Sequence, residues 1–391
     1  MTDDHRGAAG TGSKASEATP RSLRILRVAQ KVYPDVAGGG AYHVHALSRD
    51  QAAMGHDVTV LAVAPDGDGD RPHVEQRDGY TVVRYPPTAE PLGNAVSAGV
   101  AQFLRRTDEY DVVHAHSHLY FSTNLAALAR RLSGTPLAVT NHGLYSQTAP
   151  KWVFDAYLRT VGRWTFDSAD VAFCYTDEDR DRLRDLGVSV PVEVVANGID
   201  TARFTPDGPR SDDLAGDPAI LFVGRLVDGK RPGDALAAFE RLRERAPNAG
   251  LTICGDGPLR EKLEERVRDR GLDEAVRFLG HLSYETMPAV YRAADALVLP
   301  SEAEGLPRTV LEAMATDVPV VTSALDQLTG VVDGGGETVP VGDVDRFADA
   351  LAAVTEERAA YSPRAVVEDG YDWATTVEQT TEQFQRIAAG R

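Results

Sequence analysis

The feature that most constrains this chain is a rhythm that stops once and starts again. Short β-branched runs alternate with amphipathic stretches: "LRILRVA" (23–29), "DVTVLAV" (57–63), "YTVVRYP" (80–86), "DVVHAH" (111–116), "PLAVTN" (136–141), "DVAFCY" (170–175) and "VEVVAN" (192–197), with helical spacing over 41–54, 119–132 and 177–186. Strands linked by crossover helices lie parallel, because a parallel neighbour is reached only through a connection of a dozen or more residues. After 197–218, dense in Gly, Pro and Asp, the runs resume as "AILFVG" (219–224), "GLTICG" (250–255), "AVRFLG" (275–280), "ALVLPS" (296–301) and "VPVVTS" (318–323), with helices over 233–246, 258–270, 284–293 and 307–315. The pattern predicts an α/β chain of two doubly wound domains facing across a cleft, with 197–218 as their connection. Residues 1–22 lack apolar periodicity and read as a disordered tail, 23–200 as the first domain, 201–372 as the second, and 373–391 as a C-terminal helix able to pack on either, including back onto the first. At 391 residues, two cores are also what size leads one to expect.

Composition narrows the function. Forty-one basic residues against 59 acidic give a net charge of −18, and only five of the basic residues are lysines, so the basic footprint of a nucleic-acid binder is missing. The acidity fits either ordinary solubility or a surface adapted to high salt; low lysine with abundant aspartate favours the second. No apolar run approaches the ~18 residues of a membrane span and the first 22 residues carry no signal-peptide core, which predicts a cytoplasmic protein. Cys174 and Cys254 sit in apolar runs without metal-site or disulfide spacing.

In doubly wound sheets ligands bind beyond the carboxyl ends of the strands, so the motifs belong there. Gly38 to Gly40 follow the first strand and open a helix, where bare N–H groups can approach an anion; a flexible loop is the plain alternative. His142, in "VTNHGLYS", stands just past a strand end and reads as cleft-facing or as structural. "HAHSH" puts His114 and His116 on one strand face and invites a zinc reading, with no carboxylate or cysteine partner evident. In "LFVGRLVDGKRPGDAL", Arg225 and Lys230 bracket a turn before a helix and suit a diphosphate, a solvated surface pair being the alternative. In "PSEAEGLPRTVLEAMA", Pro307 fits the first helical position and leaves the N–H groups of Arg308 and Thr309 free. Glu304 and Glu312 are placed to line one wall of a site and accept from ligand hydroxyls; capping by Glu304 would leave Glu312 unexplained, and Glu302 reads as solvated. Cations for a diphosphate and carboxylates for hydroxyls together describe a nucleotide sugar.

These motifs, in order, resemble family 4 of the retaining glycosyltransferases: "GGGAYHVHALSRDQAAMGHDVTVLA" with its Gly55-His56 ending, "NHG", "NGID", "VGRL" with Lys230, "GDGP" (255–258), "FLG" (278–280), and the E-x7-E pair Glu304/Glu312 with "EAMA". The resemblance runs from about Leu23 to the last helix and implies the GT-B fold, two Rossmann-like domains with the donor between them. It implies that Arg225 and Lys230 hold the donor diphosphate and that Glu304 contacts the transferred sugar and Glu312 the ribose. It further implies Gly39 at the phosphates, the segment around Gly280 at the base, and His142 at the sugar near the reacting centre. Transfer of a hexose from a UDP- or GDP-sugar to a carbohydrate or lipid-linked hydroxyl, with retention, no cofactor and no metal, is the activity this implies. An epimerase acting on the nucleotide sugar itself is the alternative on the same fold.

Two departures stand out. The chain has "TSALDQLTGVVDGGGETV" where relatives carry a second glycine-rich loop followed by Glu, so 324–330 offers no transferable residue, and Pro307 stands where glycine is common. The aromatic segment 149–170 reads as a core helix of the first domain or as a surface resting on a membrane that holds a lipid acceptor. "DGDGD" (66–70) reads as a solvated acidic turn, since Arg71 stands where a calcium loop needs glycine.

Overall fold

Runs that are apolar on both sides form strands buried on both faces. The computed structural model describes residues 21–36, 38–64, 72–91, 94–145 and 151–390. Its first lobe contains β1 (Arg24–Val28), β2 (Asp57–Val63), β3 (His73–Arg77), β4 (Tyr80–Tyr85), β5 (Val112–His116), β6 (Leu137–Thr140), β7 (Val171–Cys174) and β8 (Val192–Val194). These form one sheet in the order β3-β4-β2-β1-β5-β6-β7-β8, parallel except for the β3–β4 pair. The second lobe holds β9 (Ala219–Val223), β10 (Gly250–Cys254), β11 (Val276–Gly280), β12 (Ala296–Leu299), β13 (Val320–Ser323) and β14 (Gly336–Val339), all parallel, in the order β11-β10-β9-β12-β13-β14.

Alternation along β1 shows how the first lobe is layered. Ile25 enters a core that includes Val44 of helix Gly39–Ala53 and Phe384 of helix Trp373–Ala389. Leu26 and Val28 enter the opposite core, with Ala126, Phe154, Phe166 and Leu183 from the other helices. The returning C-terminal helix therefore covers part of the first lobe's sheet, although the whole second lobe precedes it in sequence. Arg27, wholly buried on that face, donates to Ser48 Oγ (2.7 Å) and Gln51 Oε1, and Gln51 donates on to Thr381 Oγ1 of the last helix (2.8 Å). Burial lowers the Arg27 pKa to about 9.

The chain crosses between lobes twice, and the crossings are laced together. Ile199 N donates to Tyr371 O (2.8 Å), Trp373 N to Ile199 O (3.0 Å), and Thr376 Oγ1 to Ala196 O (2.8 Å). Arg21 and Ser22, assigned to the tail by composition, already hold the sheet: Arg21 pairs with Asp111 at 3.3 Å and Ser22 Oγ donates to Gly55 O. The expectations for the rest of the tail and for the acidic turn 66–70 concern positions outside the described residues.

Pattern reading missed β3 and β14. Strand β3 is half exposed at the sheet edge and carries polar residues, and β14 is four residues long and begins at a glycine. One placement needs correction: Pro307 is the cap residue of helix Arg308–Ala315, not its first helical residue. The 149–170 segment is broken by a π-turn at Leu158–Gly162. Phe154, Leu158 and Phe166 pack in the first lobe's core, while Trp152 stays 75% exposed. Among the described residues no helix is long and apolar enough to cross a membrane.

Because Phe384 is fully buried between the last helix and the first sheet, Phe384→Ala is expected to cost about 3–5 kcal/mol. Urea denaturation followed by fluorescence measures it, and a loss below about 1 kcal/mol would show that this helix does not cover the sheet.

Candidate active site

The order of the second sheet reverses at β9, with β10 on one side and β12 on the other. A crevice opens outside the carboxyl ends at such a point. The loop after β9 carries Arg225 and Lys230; the loop after β12 carries Glu304. Although 74 residues apart in sequence, Lys230 Nζ and the Glu304 carboxylate form a hydrogen-bonded ion pair, with side chains 14% and 4% exposed. The Glu302 N–H donates to Gly229 O (2.9 Å) and holds the loops together, while the Glu302 side chain is exposed. Arg225 is exposed and acts electrostatically on Tyr120 and Tyr145 of the first lobe, so its charge reaches across the cleft. Gly280 ends β11 at φ 65° and its carbonyl accepts from Gly255 N (2.7 Å). A Cβ on Gly255 would lie 1.9 Å from Gly224 O, so the close approach of these two loops requires glycine.

The first sheet reverses at β1, between β2 and β5. Gly38 caps helix Gly39–Ala53 at φ 147°, and no side chain caps it, so its first N–H groups face the cleft without an internal partner. A Cβ on Gly39 would sit 3.4 Å from Arg308 Cδ, and one on Gly40 3.8 Å from His142 Nδ1. His142 stands at the exit of β6 with its carbonyl against the opposite lobe, where a Cβ on Gly305 would be 2.7 Å from it. Both of its ring nitrogens are engaged: Nδ1 is 2.7 Å from Tyr175 Oη and Nε2 is 3.1 Å from His116 Nδ1. His114 and His116 do share a face, their rings 4.2 Å apart, and His114 Nε2 lies 2.7 Å from Thr140 Oγ1.

Arg308 does more than lend a backbone N–H. Its buried guanidinium turns into the hinge, where Nη1 donates to Gly198 O (3.1 Å) and Nη2 to Tyr284 Oη (2.9 Å), and it lies over the rings of Tyr42 (5.1 Å) and Trp373 (5.7 Å). Burial disfavours its charge, yet Tyr284 and Glu312 outweigh that and hold it above the usual arginine value. Glu312, 3.6 Å from Arg308 Nε, also accepts from Tyr291 Oη (2.9 Å). Burial pushes its carboxyl up while Arg308 opposes the shift. Glu304 and Glu312 thus have different neighbours, one at Lys230 and one at Arg308.

Sequence reasoning named Thr309 for its N–H but missed the hydroxyls at this edge. Ser301 Oγ, Thr309 Oγ1 and Ser323 Oγ, all at the carboxyl edge of the second sheet, are buried without a hydrogen-bond partner among the described residues. Native interiors leave few such atoms, and a ligand rich in donors and acceptors would satisfy them. Tyr120, Tyr145 and Tyr175 had no pattern to mark them, because single aromatics at strand exits look like core.

Residues 209–373 match the family model described as Glycosyl transferases group 1, and residues 37–203 that described as Glycosyltransferase Family 4. Glycogen synthase of Mycobacterium tuberculosis (strain ATCC 25618 / H37Rv) is 32% identical over 404 residues, covering 94% of this chain and 95% of that protein. Among solved structures, sucrose-phosphate synthase from Thermosynechococcus elongatus superposes with a TM-score of 0.77 at 20% identity, over 95% of this chain and all of that one. HepE of Anabaena in complex with UDP-glucose superposes with a TM-score of 0.74 at 19% identity, over 93% of this chain and all of that one. Both share the two-lobed GT-B fold.

The histidines around the cleft make stability depend on pH. Burial lowers the pKa of His142 to about 4 and of His118 to about 3, and holds His43, His114 and His116 well below the usual value. The unfolded chain then binds more protons than the folded one below about pH 6.5, so their contribution is fully present above that pH and is lost on acidification, by up to about 1.4 kcal/mol per pH unit for each group. Asp179, raised by burial to about 6, and Glu312, also raised, work in the opposite sense, two groups against five. The urea midpoint is expected to fall steeply between pH 7.5 and 5; a flat profile would mean that these imidazoles are already charged in the fold.

Proposed function

The chain belongs to the group 1 glycosyltransferases of family 4, and from that premise we propose that it moves a hexose from a nucleotide-diphosphate sugar, such as a UDP- or GDP-sugar, to a hydroxyl acceptor with retention at the anomeric carbon. The acceptor is a glycan, a lipid-linked sugar or a small molecule. The observation that carries the reading is the Lys230–Glu304 pair, formed by two loops at the switch point of the second sheet. Each half of that pair suits one half of a nucleotide sugar, and the UDP-glucose held by HepE supports such a donor here.

The proposed chemistry uses charge and position. Arg225 and Lys230 take the negative charge that grows on the diphosphate as the C1–O bond breaks and its electron pair leaves with the phosphate. The uncapped N–H groups at Gly39 and at the start of helix Arg308–Ala315, including that of Thr309, face the same phosphates. Glu304, released from Lys230, accepts from sugar hydroxyls; Glu312 accepts from the ribose, and the Gly280 segment borders the base. His142 walls the sugar near the reacting carbon. The acceptor oxygen attacks C1 from the face the phosphate leaves, and its proton passes to the departing phosphate oxygen, so positioning replaces a dedicated base. Two protein cations supply the positive charge, which makes a divalent ion unnecessary. For a lipid-linked acceptor, the exposed Trp152 is the side chain that a bilayer would meet.

Lys230→Ala and Glu304→Ala are expected to lower transfer by on the order of 10²-fold or more, with EDTA leaving the wild-type rate unchanged. The donor comes from a thermal-shift screen of nucleoside diphosphates and their sugars, because a ligand of the folded state raises its melting point. Near-normal rates in folded variants, or complete loss with EDTA, would overturn the assignment.

A further inference from the structure

His142 sits at the seam of the cleft with both imidazole nitrogens occupied, and what occupies them is informative. On one side is Tyr175, 4% exposed, at the exit of β7, with its hydroxyl 2.7 Å from Nδ1. On the other is His116, 2% exposed, at the end of β5, with its Nδ1 3.1 Å from Nε2. A neutral imidazole has one N–H and one lone pair, so the two neighbours cannot both act as donors to it.

Burial raises the Tyr175 hydroxyl and lowers His142 to about 4, so at neutral pH the phenol keeps its proton and the imidazole is neutral. Protonation alone allows either direction, because a neutral phenol can also accept from an Nδ1–H. The direction follows from the buried Tyr175 hydroxyl, for which no acceptor other than His142 Nδ1 is seen among the described residues. A phenol hydrogen aimed at Nδ1 makes that nitrogen the acceptor and leaves the ring proton on Nε2, where it donates to His116 Nδ1. His116 must then carry its own proton on Nε2, the nitrogen that has no partner among the described residues. The neighbouring histidine is set in the same way: Arg27 Nε donates to His114 Nδ1 at 3.4 Å, which leaves His114 Nε2–H to donate to Thr140 Oγ1 at 2.7 Å.

We propose that Tyr175 is a positioning residue for the transfer reaction, its O–H locking the His142 imidazole as the Nε2–H tautomer between the glycine turn of the first lobe and the Glu304–Gly305 loop of the second. Tyr175 is suited to this task because it packs with the second lobe's core although it directly follows a strand of the first lobe's sheet. The lock therefore depends on the arrangement of both lobes. Without it the imidazole can turn about its Cβ–Cγ bond, and a turned ring meets the Gly40 side of the cleft, where a Cβ would be 3.8 Å from Nδ1. A misplacement of that kind costs rate more than binding, since the reacting atoms must be held in near-attack geometry.

The inference rests on the glycosyltransferase reading, and its test separates the two. The tautomer is read by ¹⁵N NMR of histidine-labelled, unliganded protein, and the rate by release of UDP from UDP-glucose, or GDP from GDP-mannose, to water. The wild type should show His142 as the Nε2–H tautomer, and Tyr175→Phe should show a mixture. The variant should also release nucleotide about tenfold more slowly, with the donor KM within about twofold and the melting point nearly unchanged. If Tyr175→Phe did not fold, Tyr175→Met would take its place. A wild-type Nδ1–H tautomer, a tautomer indifferent to the substitution, or an unaltered rate in the variant would each overturn the lock. A wild type that binds and cleaves neither donor would count against the proposed function and leave the tautomer measurement to decide the lock.

Discussion

A guanidinium that cannot give up its proton is buried where the two lobes meet, and the cleft depends on how its charge is satisfied. Arg308 begins a helix of the second lobe, donates to the hinge at Gly198 O and to Tyr284, pairs with Glu312, and lies over Tyr42 of the first lobe and Trp373 of the returning helix. A buried charge is tolerated only when nearby acceptors and opposite charge offset its lost hydration. Here the groups around it come from four stretches of chain besides its own helix: Gly198, Tyr284, Tyr42 and Trp373. Each is thereby held at a fixed distance from the start of the helix that follows Glu304.

The same convergence explains why so much polarity is buried nearby. Lys230 and Glu304 neutralise one another, the histidines are neutral, and Arg308 is balanced by Glu312, so the cleft carries charges that are paired but not spent. Hydroxyls of Ser301, Thr309 and Ser323 are left over. A fold selected only for stability would fill such positions with apolar groups of the same shape, because unsatisfied hydroxyls cost free energy and well-packed carbon does not.

How much of this could be read beforehand follows from what each signal encodes. Strands buried on both faces announce themselves as continuous apolar runs, so twelve were placed from the pattern, whereas the polar edge strand β3 and the short β14 were not. The grouping of Arg225, Lys230 and Glu304 at one edge was legible because strand exits define that edge whatever the connectivity. The inward turn of Arg308 was not, because position in a helix constrains the backbone and says nothing of where a long side chain finds its acceptors. Alternation put His114 and His116 on one face, but only tertiary contact could bring His142 and Tyr175 to them from two other strands.

The double crossing has a consequence of another kind. The chain leaves the first lobe near Asn197 and re-enters it near Trp373, and these points are hydrogen-bonded to one another through Ile199 and Tyr371. Topologically, the whole second lobe is an insert spliced into one surface of its host, with entry and exit side by side. A module attached in this way can be exchanged for another of matching seam without breaking the host's sheet, so the two lobes are free to diverge separately.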